Sequence, residues 1–186
     1  MKIQAIKYYE SPIGMALITA NEGAVVQIET IVKMDNMKPS PYYSEEEFIT
    51  SDEFGIKHLE GPYEANTQVI KMCQMQLEEY FKGTRKYFDF TYKNIGTPFR
   101  EKVWKELEKI PYGEIRSYKD IAVAINNEKA VRAVGGANHH NNLWIVVPCH
   151  RVIGADGKLT GYGGGVDIKE WLLKHEAKYK QQLARL

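Results

Sequence analysis

Apolar and polar positions alternate from the start of the chain. Ile3, Ala5 and Tyr8–Tyr9 predict a strand that ends at Ser11-Pro12-Ile13-Gly14, a turn sequence. Met15–Ala20 predicts a second strand, Asn21-Glu22-Gly23 a second turn, and Ala24–Ile28 a third strand. The expectation is a small antiparallel meander. The alternation then fails. Residues 33–62 are rich in acidic residues, Pro and Gly, and read as a long loop or an insertion with room for a strand.

The period changes after that. Val69, Met72, Cys73, Leu77, Tyr80 and Phe81 recur at helical spacing, which predicts a helix over 66–82 ended by Lys82-Gly83. Tyr87–Tyr92 alternates again and predicts a strand. Asn94–Pro98 reads as a linker. Thr97-Pro98 then fits a helix start, with Thr as N-cap and Pro in the first turn. Phe99, Val103, Trp104, Leu107 and Ile110 follow at helical spacing, and Pro111-Tyr112-Gly113 ends the helix.

Ser117 can cap a second helix over Tyr118–Asn126, with Ile121, Ala122 and Ile125 inward. A third starts at Asn127 or Glu128 and runs toward Ala137 or Asn138. Two short helices across a tight turn, the second rich in small residues, have the outline of a helix-turn-helix. Ordinary helical packing produces the same outline. Leu143–Val147 is an apolar run too short for a helix, read as a strand that leads into Pro148-Cys149-His150-Arg151. Gly154–Gly165 is a Gly-rich loop. Asp167 caps a last helix, with Glu170 placed as the capping-box partner.

Charge divides the chain where the linker falls. Residues 1–95 carry 10 Lys and Arg against 14 Asp and Glu, and residues 96–186 carry 15 against 10. A polyanion would meet the second half, although uneven surface charge has the same appearance. No stretch approaches the roughly 20 apolar residues of a membrane span, and the first residues lack the apolar core of a signal peptide. The two cysteines, Cys73 and Cys149, cannot build a disulfide framework or a four-cysteine zinc site. The chain reads as cytoplasmic with free thiols.

Cys149 is the candidate for chemistry. A thiol with pKa near ~8.5 is only slightly ionised at neutral pH, so a nucleophilic cysteine needs a base or a positive setting. His150 and Arg151 stand beside it, and Pro148 fixes the turn that presents it. On an extended chain, neighbours point apart, so His150 needs a bend or a bridging water to reach the sulfur. Cys73 lies on the apolar face of a Met- and Leu-rich helix and reads as core. Glu170 fits a capping box, and equally a carboxylate that orients His150.

Ile145–Gly154, with its Pro-Cys-His-Arg-Val centre, resembles the active-site signature of the O6-alkylguanine-DNA alkyltransferases. The resemblance extends to Thr97-Pro98-Phe99-Arg100, Val103-Trp104, Ile110–Glu114, Ser117-Tyr118, Arg132–Ala137, Gly161–Gly165 and Lys169–Leu173, in that family's order. It covers about residues 97–176. Several long motifs in register form a specific signal. Residues 1–92 are similar in layout only.

The resemblance implies an α+β fold. A small ribonuclease-H-like α/β domain with antiparallel strands would occupy 1–92. A mostly helical domain with a helix-turn-helix would occupy 97–186, bind DNA and accept the alkyl group. The implied activity is repair, moving a methyl or larger alkyl group from O6 of guanine to Cys149 once per molecule, with O4 of thymine as a second candidate. His150 would take the thiol proton through a water, Glu170 would hold the imidazole, and Asn141 would bond the active-site turn, unless it is a helix C-cap.

Tyr118 would donate to the departing guanine, and Arg132 would fill the place of the extruded base. Ala133, Gly135 and Gly136 would let the helix approach the minor groove, or else pack helix on helix. Thr97 and Ser117 would lie on the DNA side. Tyr162, Gly163, Gly164, Val152 and Leu159 would line the guanine pocket. The implied partner is double-stranded DNA carrying O6-alkylguanine, met by a monomer with no cofactor.

The chain departs from the family pattern at Asn142, where proline is usual, and at His139-His140. The first domain offers only Cys73 and His58 for a metal, so no zinc is expected there. Three other readings compete. A damage sensor would lack the acceptor Cys149. A transcription regulator would have no use for it. A cysteine hydrolase would need an oxyanion hole and would turn over.

Overall fold

The computed structural model describes residues 5–32 and 63–183. The chain divides into two compact units, Met1–Lys93 and Asn94–Leu186. The loop expected over 33–62, and His58 within it, lie outside the described residues.

The first unit is a meander with a helix against it. Strands β1 (Ala5–Ser11), β2 (Gly14–Asn21) and β3 (Ala24–Val32) pair antiparallel in chain order. The β2–β3 turn, Glu22-Gly23, has positive φ at both residues (52° and 72°), as a two-residue hairpin matching strand twist requires. Helix α1 (Tyr63–Phe81) packs on all three strands. Ile18, Val25, Ile28, Ile70, Cys73 and Leu77 form the core, so Cys73 is a packing residue. Asn66 Oδ1 accepts from the Gly23 amide at 2.7 Å and ties the helix to the turn.

Residues 87–92 do not form the expected strand. Only Tyr92 bridges to the sheet, with Val25 donating to Thr91 O (3.0 Å) and accepting from Lys93 N (2.9 Å). The Asp89 amide goes instead to the buried Gln76 side chain, 3.0 Å away. The alternation is real but has another cause. Phe88, Phe90 and Tyr92 share one face and stack edge to face at 6.0 Å, so period-two apolarity here marks a rung of rings.

The second unit is mostly helical, and the two units together make an α+β fold. Helix α2 (Pro98–Leu107) starts with Pro98 behind Thr97, whose hydroxyl accepts from the Arg100 amide at 3.4 Å. Val103, Trp104 and Leu107 are its buried face. Ser117 and Asp120 form a reciprocal capping box, 3.1 and 2.7 Å, at the start of α3 (Tyr118–Ala124). Such a cap contributes about 1 kcal/mol. A single 3₁₀ turn at Glu128–Ala130 leads into α4 (Val131–His139), and Trp104 Nε1 donates to Ala137 O at 2.9 Å, joining α2 to α4. Two short parallel strands, β4 (Arg116–Ser117) and β5 (Val152–Ile153), cross the unit. Helix α5 (Val166–Leu183) closes it. No helix of the described residues is long and apolar enough to cross a membrane.

Two local expectations fail here. Leu143–Val147 forms no continuous strand: Leu143 makes a single bridge and Trp144–Val146 turn, with φ of +72° at Ile145. A β-branched residue there stores about 1–3 kcal/mol of strain. Helix α5 begins at Val166, two residues earlier than a cap at Asp167 implies, so Asp167 lies inside the first turn and does not cap it.

Candidate active site

The turns between α4 and β5 are organised by one side chain. Asn141 is buried. Its Nδ2 donates to Val147 O (2.8 Å) and to Cys149 Sγ (3.1 Å), and its Oδ1 accepts from Leu143 N (3.1 Å) and Asn94 Nδ2 (3.2 Å). Helix α4 ends at His139 with His140 as its cap, so Asn141 serves the turn rather than the helix. Its backbone carbonyl also holds Trp144 Nε1 at 3.0 Å. Asn142, the departure from the usual proline, is exposed, and the turn forms with it.

Cys149–Arg151 is a single 3₁₀ turn, and all three residues are buried. The turn supplies the bend that an extended chain would not. Burial pushes the Cys149 thiol up to about 11, against the Asn141 hydrogen bond, the charge of Lys169 and nearby backbone amides, which favour the thiolate. At rest this cysteine is a protonated thiol.

His150 Nε2 lies 2.8 Å from Oε1 of Glu176, with neither side chain exposed. A carboxylate only accepts, so Nε2 carries the proton and Nδ1 holds the free lone pair. Nδ1 is buried and has no hydrogen-bond partner among the described residues. Burial lowers the pKa of His150 more than Glu176 raises it, so the ring is neutral at rest. Burial opposes ionisation of Glu176 as well. His150 and Arg151 outweigh it and hold the carboxyl far below the usual carboxylate range. Arg151 grips Glu176 with Nε (2.9 Å) and Nη2 (2.9 Å), and the Gly113 amide adds a further donor at 2.8 Å.

The carboxylate facing His150 is therefore Glu176, not Glu170. Glu170 is exposed and pairs with Lys174 at 2.7 Å. The buried face of α5 is Ile168, Lys169, Leu172, His175 and Glu176, at helical spacing. Glu170 follows Lys169 and falls outside that stripe. Reading the stripe, rather than the capping pattern, would have found both Glu176 and Lys169.

Tyr118, at the start of α3, is half-buried and donates to Thr160 O at 2.8 Å. Burial raises its pKa. Lys169 Nζ donates to Val152 O (2.5 Å), Thr160 O (2.9 Å) and Tyr118 Oη (3.4 Å). Tyr162 is buried, with its ring 5.4 Å from that of Trp144. A Cβ on Gly163 or Gly164 would stand 3.1 or 2.7 Å from the Trp144 indole, so both glycines answer to that ring. Val152 is buried and Leu159 half-buried.

Arg132, Ala133 and Gly136 point outward from α4, whereas Val134, Ala137 and Asn138 point inward. Among the described residues, a Cβ on Gly136 would meet nothing within 4 Å, and one on Gly135 only Tyr118 at 3.9 Å. Packing among the described residues therefore does not require Gly136. Thr97 is exposed and Ser117 half-buried, each occupied as a helix cap. Among the described residues, no group of three or more His, Cys, Asp or Glu is placed to hold a metal ion.

Residues 98–178 match the family described as 6-O-methylguanine DNA methyltransferase, DNA binding domain. A methylated-DNA–protein-cysteine methyltransferase of Methanosarcina barkeri is 44% identical over 169 residues, covering 90% of this chain and 93% of the relative. The constitutive protein of that name from Bacillus subtilis is 41% identical over 184 residues, 95% of this chain and 100% of the relative. A crystal structure of Mycobacterium tuberculosis OGT in complex with DNA superposes with a TM-score of 0.71 at 37% identity, covering 94% of this chain and 93% of that one.

Proposed function

The chain belongs to the methylated-DNA–protein-cysteine methyltransferase family, and we propose that it repairs DNA by moving an alkyl group from O6 of guanine onto Cys149, once per molecule. The observation that carries the reading is the buried assembly of Asn141, Cys149, His150 and Glu176 inside the family-matching segment.

The reacting oxygen lies inside a duplex, so the base is first flipped out. Exposed Arg132 on α4 fills its place in the stack. Ala133, Gly135 and Gly136 allow α4 to approach the minor groove, which makes α3 and α4 a helix-turn-helix used unusually. Thr97 and Ser117 flank that surface. Tyr162, Leu159, Val152 and the two glycines of the loop enclose the base. The first unit corresponds to the ribonuclease-H-like domain of the family. One copy of the chain meets the DNA, in the cytoplasm.

In the chemical step the Cys149 proton passes through a water to Nδ1 of His150. The imidazolium so formed is stabilised by Glu176. Asn141 Nδ2 supports the charge on sulfur. The thiolate attacks the alkyl carbon, the carbon–O6 bond breaks, and its electron pair leaves with guanine. Tyr118 supplies the proton that neutralises the base. Alkylated thymine carries the same alkoxy group at O4 and is the second substrate. The product is a thioether, which nothing in the site can hydrolyse.

With excess lesion, repaired base should accumulate in one burst equal to the protein concentration and then stop. Continued turnover would support a hydrolase instead.

A further inference from the structure

Those steps leave one buried charge without a task. Lys169 has no exposed surface. An ammonium has three N–H donors, and three oxygens surround this one. They come from separate parts of the unit: Val152 O from β5, Thr160 O from the Gly-rich loop and Tyr118 Oη from α3. Among the described residues no carboxylate pairs with it. A buried ammonium held only by neutral oxygens is costly, because nothing nearby offsets its lost hydration.

The groups that feel its charge are Cys149 and His150 on the 3₁₀ turn, with Tyr118 in direct contact. The anion missing from this arrangement is the one the reaction creates. Burial lowers the pKa of Lys169 to about 8, and a negative charge at Cys149 acts in the opposite sense. Charge on sulfur and charge on Lys169 therefore reinforce each other. Burial is the largest cause raising both the thiol and the phenol, and neither His150, neutral at rest, nor the already paired Arg151 supplies a free cation.

We propose that Lys169 is a positioning residue for alkyl transfer, acting as the counter-charge of the Cys149 thiolate while its hydrogen bonds fix Tyr118 and the Gly154–Gly165 loop beside it. Proton and electron accounts are unchanged. The thiol proton still goes to His150, the base still receives one from Tyr118, and Lys169 keeps its own. This inference rests on the alkyl-transfer reading for its consequence, but not for its first test.

That test is the ultraviolet absorbance of the Cys149 thiolate, followed against pH without DNA in the full chain, in Lys169→Met and in Lys169→Arg. The Cys149→Ser protein serves as blank. The expected result is a titration displaced upward by about one pH unit or more in Lys169→Met and largely restored in Lys169→Arg. Single-turnover transfer should fall about 10-fold or more in Lys169→Met, with binding to lesion-containing duplex retained. If Lys169→Met fails to fold, Lys169→Gln carries the same comparison. An unchanged thiolate titration in a folded neutral variant overturns the proposal and leaves Lys169 a structural clamp. Failure of the wild-type chain to transfer any alkyl group overturns the repair reading while leaving the titration result intact.

Discussion

Oε1 of Glu176 lies 2.8 Å from Nε2 of His150, and neither side chain has exposed surface. The same carboxylate takes two arginine donors and a backbone amide. Glu176→Gln leaves Arg151 buried without its anion. It should destabilise the chain by about 3–5 kcal/mol and slow transfer on the order of 100-fold. Glu170→Gln, on the exposed face of α5, should change stability by less than ~0.5 kcal/mol and leave transfer alone. Chemical denaturation and single-turnover kinetics on the two variants check this. Equal effects would contradict the assignment.

Acid should weaken the fold in two stages. His150 has a folded-state pKa below its ordinary 6.5. Below that pH the unfolded chain binds a proton that the folded chain refuses, so stability is full above 6.5 and declines beneath it. Glu176 is held below its ordinary 4.5 and adds a second decline under that pH. Denaturant midpoints from pH 7.5 to 5 should fall in the wild type and fall less in His150→Gln. Parallel curves would show that His150 is not buried neutral.

Gly136 has open space where a side chain would stand. Gly136→Ala should therefore fold normally and gain about 0.5–1 kcal/mol, because alanine favours a helix interior. Its binding to lesion-containing duplex should weaken, since the methyl group holds α4 off the groove. Unimpaired binding would mean that this face of α4 does not meet DNA.

Arg132→Ala should leave stability within ~0.5 kcal/mol, because the side chain is exposed. It should slow transfer from duplex far more than transfer from free O6-alkylguanine, which needs no flipping. Equal slowing on both substrates would place Arg132 elsewhere in the reaction.

Much of this was legible because local chemistry and tertiary use agree. The meander announced itself through alternation and Asn-Glu-Gly, α2 through Thr97-Pro98, and α3 through Ser117. The misreadings share a cause. Phe88, Phe90 and Tyr92 alternate for the sake of ring stacking, so the period was right and the hydrogen bonding was not. Leu143–Val147 is apolar because it is buried, yet its backbone is bound to the Asn141 side chain and to itself. Glu170 fitted a local capping rule. Glu176 and Lys169 are charges on an otherwise apolar stripe, where single-residue preference puts neither. Their burial makes sense only once Arg151, His150 and Tyr118 arrive from other elements.

The central claim is that Cys149 keeps the alkyl group. Intact-protein mass after incubation with excess duplex carrying one O6-methylguanine tests it most directly. The account predicts a gain of one methylene, about 14 Da per chain, mapped to the peptide containing Cys149 and absent in Cys149→Ala. An unchanged mass beside repaired DNA, or a gain that survives Cys149→Ala, would contradict it.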